Sequence, residues 1–143
     1  YPPETGRRYA PRPGVYAILP RAGGVLLTCQ MSPVLEIQLP GGGIDPGEQP
    51  VQALHREVFE ETGWHIARPR RLGMFRRFVY MPEYALWAEK LCHVYVAWPA
   101  RCLSAPTEPE HEAIWMAPDH AVQMLGNDGD RHFLARYLSR SDP

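Results

Sequence analysis

Apolar positions along the chain come first in short runs. Gly14-Val15-Tyr16-Ala17-Ile18-Leu19 and Gly24-Val25-Leu26-Leu27-Thr28-Cys29 each read as a strand. Pro20-Arg21-Ala22-Gly23 between them carries turn chemistry, so the pattern predicts a hairpin. A shorter piece, Val34-Leu35-Glu36-Ile37, leads into a glycine loop, Pro40-Gly41-Gly42-Gly43. The period then changes. Val51, Leu54 and Val58 fall at i, i+3 and i+7, one stripe of a helix over 50–62. Pro50 suits its first turn, and Gly63 stands where a left-handed residue would end it. Further on, 74–80, 91–97 and 113–116 read as strands. Residues 119–125 and 130–138 read as closing helices, the second burying Phe133, Leu134, Tyr137 and Leu138. Strands, a central helix, more strands and terminal helices predict a mixed α/β layered domain.

Length and composition narrow the class. At 143 residues the chain is read as a single domain, 1–143, with residues 1–12 as a proline- and arginine-rich extended arm. Hydrophobic residues make up 45% of it, which suits a packed core. No run reaches the roughly 18 apolar residues of a membrane span, and the first residues lack an apolar leader. Cys29, Cys92 and Cys102 form no C-x-x-C pair; as small apolar fillers they point to a reducing, cytoplasmic setting. A net charge of −1 supplies no global field for duplex nucleic acid. Arginines are locally dense at 7, 8 and 12 and again at 68, 70, 71, 76 and 77. They are either a solvated surface or a means of capturing a phosphate-rich small molecule.

Candidate chemistry sits on the central helix. At about 100° per residue, Glu57, Glu60 and Glu61 fall within one arc beside the apolar stripe. Such neighbours repel by a few tenths of a kcal/mol per pair in solvent, and by more in a cleft. Arg56 relieves part of this through Glu60 at i+4, but one arginine does not balance three carboxylates. A hard divalent cation would, bound by a few carboxylates together with substrate phosphates. A plain acidic face in solvent is the alternative. The three consecutive glycines ahead of the helix favour the first reading, because they let main-chain groups approach a metal or phosphate.

Gly42, five residues, Glu48, seven residues, Arg56-Glu57-Val58, one residue, Glu60-Glu61, one residue and Gly63-Trp64 together resemble a complete Nudix box over 42–64. The preceding Leu39-Pro40-Gly41 is also family-like. The resemblance implies an α/β/α sandwich with a mixed sheet and a loop–helix–loop site for Mg²⁺ (or Mn²⁺). It implies hydrolysis of a nucleoside diphosphate linked to a further group X, a small-molecule nucleotide. On the same basis Glu57, Glu60 and Glu61 become metal ligands, joined by a main-chain carbonyl of the Gly41/Gly42 turn. Glu48 and Arg56 would hold the loop against the helix. The Trp64 position takes a bulky apolar residue in the family, so tryptophan is a modest departure.

Two proton acceptors remain open, Glu61 within the box and Glu112 just ahead of the strand 113–116. Tyr80, sixteen positions past Trp64, resembles a residue of dinucleoside polyphosphate hydrolases and weighs slightly for them over sugar-linked substrates. Arg76 and Phe78 beside it are candidate substrate contacts, and Phe75, Tyr84 and Trp87 could also stack a base. Arg76 and Arg77 alternate on a strand, so only one can face the cleft. A silent nucleotide-binding sensor and an RNA 5′ pyrophosphohydrolase stay as alternatives. Many relatives are homodimers, though no interface is identifiable here.

Overall fold

The computed structural model describes residues 3–31, 35–102 and 111–141. Its strands are β1 (Ala10–Ile18), β2 (Pro20–Arg21), β3 (Gly24–Gln30), β4 (Glu36–Gln38), β5 (Gly41–Gly43), β6 (Trp64–Met81), β7 (Leu86–Cys102) and β8 (His111–Met116). Its helices are α1 (Pro50–Thr62), α2 (Pro118–Met124) and α3 (Asp128–Ser141). One sheet has the order β5-β1-β7-β6; the other runs β2-β3-β4, with β8 on the free side of β3. The β1–β7 pair is parallel and every other pair is antiparallel.

Central strands are buried on both faces. On β7, Tyr95 and Ala97 join Val15, Ala17, Leu54 and Val58 in the core under α1. Val94 and Val96 point the other way, toward Leu125, Phe133 and Leu134 of the α2–α3 side. On β3, Leu26 packs with the first group and Val25 and Leu27 with the second. This two-sided burial explains the unbroken apolar runs in β3 and β7. The result is the expected α/β/α sandwich.

Four expectations are corrected. The turn after β1 is real, with Ala22 and Gly23 at φ 50 and 81, but the pairing across it is short: Pro20 and Arg21 in register and the Leu26 N–H on the Leu19 carbonyl. The body of β1 instead lies against β7 and β5. The strands expected at 74–80 and 91–97 are pieces of one long hairpin, β6–β7, of 18 and 17 residues. Irregular register near Ala67–Gly73, where Arg68 has φ 54 and Pro69 removes a donor, broke the alternation that sequence reading relies on. Val51, expected in the buried stripe, is 40% exposed; Ala53 takes its place beside Leu54 and Val58. The extended arm is shorter than expected, because Ala10–Arg12 already pair with Ala88–Lys90. Val34 lies outside the described residues. No described helix is long and apolar enough to cross a membrane. The three cysteines are free; Cys92 is buried, which pushes its thiol up to about 12, whereas Cys102 is exposed and fills no core.

Candidate active site

Local sequence fixes the helix that carries the acids. Pro50 begins α1, the Gln52 side chain accepts the Gln49 N–H at 3.4 Å, and Gly63 at φ 79 closes it by donating to the Phe59 carbonyl at 2.8 Å. Leu54 and Val58 hold one edge of α1 in the core, so Glu57, Glu60 and Glu61 are turned to the edge beside the glycine loop.

That loop is β5, whose Gly41, Gly42 and Gly43 pair with Tyr16, Val15 and Gly14 of β1. A Cβ on Gly41 would overlap the Val15 carbonyl and come within 2.7 Å of the Tyr16 Cα. A Cβ on Gly42 would run into the Glu57 carboxylate. Backbone therefore demands glycine at 41, while at 42 glycine leaves the Glu57 carboxylate room to stand where it does.

Arg56 ties loop to helix. Its Nε and Nη2 donate to both oxygens of Glu48 at 2.8 and 2.9 Å, and Nη2 also reaches the Gly43 carbonyl at 3.0 Å. Nη1 donates to Glu57 at 2.8 Å and lies 3.4 Å from Glu60. Glu48 in turn accepts the Asp45 N–H at 3.0 Å. The guanidinium hydrogen bonds, with the Asp45 N–H adding to them, hold the Glu48 carboxyl down at about 2. The same Glu48 contact raises Arg56 above its ordinary value, against a smaller penalty from burial.

Glu61 is 5% exposed. Its Oε1 accepts the Gly41 N–H at 3.0 Å, and its Oε2 lies 3.6 Å from His111 Nδ1. Loop and helix border a cleft of about 770 Å³, lined on this side by Gly41–Gly43, Glu48, Glu61 and His111. Arg12, Tyr16 and Lys90 line the same cleft. Arg12 and Lys90 are register partners across β1–β7, so the guanidinium and the ammonium lie on one face of the sheet. The Tyr16 phenol is pushed well above its usual value by burial, then by the charges of Cys92, Asp130 and Glu61, and stays a neutral donor.

The structure thus brings together Arg56, Glu48, Glu57, Glu60, Glu61, Gly41 and Gly42, with Gly63 as the helix stop. Four other residues singled out from sequence lie elsewhere. Glu112 is exposed and pairs with Cys29; the two-residue period of β8 puts it on the face of Ile114 and Met116, toward α2 and α3, away from His111. Arg76 pairs with Glu89 at 3.1 Å, the Phe78 ring packs on Tyr9 at 5.0 Å, and Tyr80 is 43% exposed against Trp87. All three share the β6 face turned from the cleft, whereas Met81 and Tyr84 of the hairpin tip line it. Arg77 faces the other way from Arg76 and is bound to Glu36 at 2.9 Å. Arg12 belongs to the arginine cluster read from sequence as a possible phosphate-capturing group, whereas His111, Lys90 and Tyr16 were not singled out. His111 shares the strand face of Ala113, which packs under α1, and that parity is the signal that could have found it.

A family model for the NUDIX domain matches residues 9–137. The chain belongs to the Nudix family. Among its relatives are an RNA pyrophosphohydrolase of Yersinia enterocolitica, 37% identical over 68 residues (48% of this chain and 39% of the relative), and an 8-oxo-(d)GTP phosphatase of Mycolicibacterium smegmatis, 30% identical over 105 residues (71% and 30%). A third is the CMP-5′-(N-acetyl-N-hydroxy-3-aminopropyl)phosphonate hydrolase of Streptomyces rubellomurinus, 34% identical over 90 residues (62% and 41%). The chain spans less than half the length of each of these three. Among solved structures, the Nudix hydrolase of Nitrosomonas europaea superposes with a TM-score of 0.74 at 19% identity, covering 90% of this chain and 89% of that one. At that identity the likeness shows the Nudix fold.

Nudix proteins generally use divalent metal ions, and the donors present fit one chemically. The carboxylates of Glu57 and Glu61, brought together against Gly42 and Gly41 and packed too closely for a Cβ at position 42 with Glu57 where it stands, supply oxygen donors of the kind a hard cation takes. Among the described residues no three acidic, histidine or cysteine side chains converge as a ready metal cage. Arg56 draws Glu57 and Glu60 toward itself.

Proposed function

We propose that the chain is a metal-dependent pyrophosphohydrolase that cleaves the diphosphate link of a nucleoside diphosphate joined to a further group X. The observation that carries this is the placement of Glu57, Glu60 and Glu61 along one edge of α1. That edge lies against Gly41 and Gly42 and is locked there by the Arg56–Glu48 pair. Glu57, Glu60 and Glu61, with the Gly42 carbonyl, would hold Mg²⁺ (or Mn²⁺). Bound there, the ion would neutralise phosphate charge and lower the pKa of an attacking water.

The protein's own part is to place charge. Arg12 and Lys90 line the cleft that Glu48 and Glu61 also line, and in this reading they bind the phosphates that the glutamates alone would repel. The neutral Tyr16 phenol donates beside them. A volume of about 770 Å³ suits a nucleotide-sized ligand. Glu61 is the acceptor of the water's proton in this reading, since it is buried, borders the cleft and uses one oxygen on Gly41. Tyr80 no longer argues for dinucleoside polyphosphates, because its side chain lies off the cleft. Nucleoside triphosphates, dinucleoside polyphosphates and sugar-linked diphosphates all present the same diphosphate to it.

The test is release of phosphate or nucleoside monophosphate from a panel of these compounds with Mg²⁺ or Mn²⁺, run alongside Glu60→Gln and Glu61→Gln. Turnover of at least one compound, lost in both variants and on chelation, is expected. Metal-independent nucleotide binding with no turnover across the panel would refute the enzyme reading.

A further inference from the structure

Glu61 is held from two directions, and only one of them belongs to the Nudix box. Its Oε1 is fixed by the Gly41 N–H. Its Oε2 meets the His111 ring at 3.6 Å, just beyond a direct hydrogen bond but well inside the range of electrostatic and packing contact. His111 is itself anchored, since its Nδ1 shares a 3.0 Å hydrogen bond with the hydroxyl of Thr28. Thr28 is fully buried on β3, and the His111 side chain is 13% exposed. Residues 28 and 111 come from two strands that pair at this point: Thr28 lies opposite Ala113, and Gln30 lies opposite His111.

We infer that His111, steadied by Thr28, is a positioning residue that acts through Glu61. The argument is one of rotational freedom. A glutamate on a helix has three rotatable bonds, and the hydrogen bond at Oε1 restrains one end of its carboxylate. A ring against Oε2 adds a restraint at the other end and keeps the second oxygen at the wall of the cleft. Thr28 makes the ring a fixed stop, because a buried hydroxyl has a strong need for the bond it makes. The inference rests on the reading that Glu61 works in hydrolysis, but the positioning itself can be measured without any reaction.

The Gly41 amide reports it directly. In the metal-free, substrate-free protein, His111→Ala is expected to shift the Gly41 amide resonance and speed its hydrogen exchange, as Glu61 gains freedom. His111→Asn, which keeps an amide group near the Nδ1 position, is expected to restore most of the wild-type behaviour. Thr28→Val, equal in size but without the hydroxyl, should move the resonance in the same direction as His111→Ala and by less. Where a substrate is in hand, His111→Ala is expected to lower kcat by about 10- to 100-fold with little change in KM, the usual cost of removing a group that orients a functional side chain. In a Glu61→Gln background the same change should move the Gly41 amide little further, because the two residues act as a unit. An unchanged Gly41 amide in His111→Ala, or an equal amide shift on that change in the wild-type and Glu61→Gln backgrounds, would overturn the inference. A responsive amide in a protein that hydrolyses nothing on the panel would leave the positioning standing and remove the proposed reaction instead.

Discussion

Asp130 offers a quantitative test because its burial and its surroundings oppose each other. The residue is 3% exposed in the first turn of α3. Its Oδ2 accepts the Leu39 N–H at 3.1 Å, and its own N–H donates to Asn127 Oδ1 at 2.8 Å. Burial is the stronger influence and raises the carboxyl from 3.8 to about 6, despite the bonds from Leu39 and Asn127 and the nearby Arg77 charge. In the unfolded chain the proton leaves near 3.8; in the fold it is held to about 6. Between those values the folded state binds more protons, so stability falls as pH rises. The contribution is complete below the unfolded value and gone once pH has passed the folded one. A shift of about two units corresponds to about 3 kcal/mol. Asp130→Asn cannot ionise and keeps an oxygen for Leu39, so it lacks this dependence. Urea unfolding of both proteins, stepped from about pH 3.5 to about pH 7.5, gives the difference in stability with all other titrations cancelled. Wild type is expected to lose about 3 kcal/mol relative to the variant over that range, and the difference should then level off. Parallel curves would refute the reasoning. So would a wild type that gains on the variant as pH rises, which is the sign of a carboxylate stabilised as its anion.

Three further outcomes are expected. Gly42→Ala should abolish turnover and weaken Mn²⁺ binding, measured by electron paramagnetic resonance, with little change in Tm, because the added methyl displaces the Glu57 side chain rather than backbone. Glu48→Gln should destabilise the fold near neutral pH. Since the folded carboxyl lies at about 2 against an ordinary 4.5, that penalty should shrink as pH falls between those values, seen in thermal melts of both proteins. Leu54→Ala, at a fully buried position under β1, should cost about 2–5 kcal/mol in urea unfolding, and a cost below about 1 kcal/mol would mean that α1 is not anchored as described.

What the sequence disclosed and what it withheld divide along a physical line. The box helix was legible to the residue, Pro50 to Thr62, because its start, stop and apolar edge are encoded within one 15-residue window. The glycine segment was read as a loop and forms instead the short strand β5 on β1, a long-range pairing that three glycines do not announce. Val51 misled because the stripe was read from spacing alone, and in the first turn no neighbouring element covers it. Expectations for the substrate side failed differently. Tyr80, Arg76 and Phe78 were placed by distance along the chain, yet which face of β6 meets the cleft depends on register shifts between Ala67 and Gly73. Glu112 was one position from His111, and on a strand one position is the opposite face.

The cleft's cationic side shows why this division matters for function. Arg12 and Lys90 are adjacent only because β1 runs parallel to β7, a pairing across 78 positions that no local pattern announces. The acidic side, by contrast, is assembled within residues 41–61. In the proposed reading, chemistry and phosphate binding are therefore built from different kinds of information in the same chain, a local motif for the first and long-range strand register for the second. It follows that Lys90→Ala and Arg12→Ala should act mainly on KM, and that Glu61→Gln should act mainly on kcat. A Lys90→Ala protein whose loss fell wholly on kcat would mean that the phosphates do not rest where the parallel pair puts those charges.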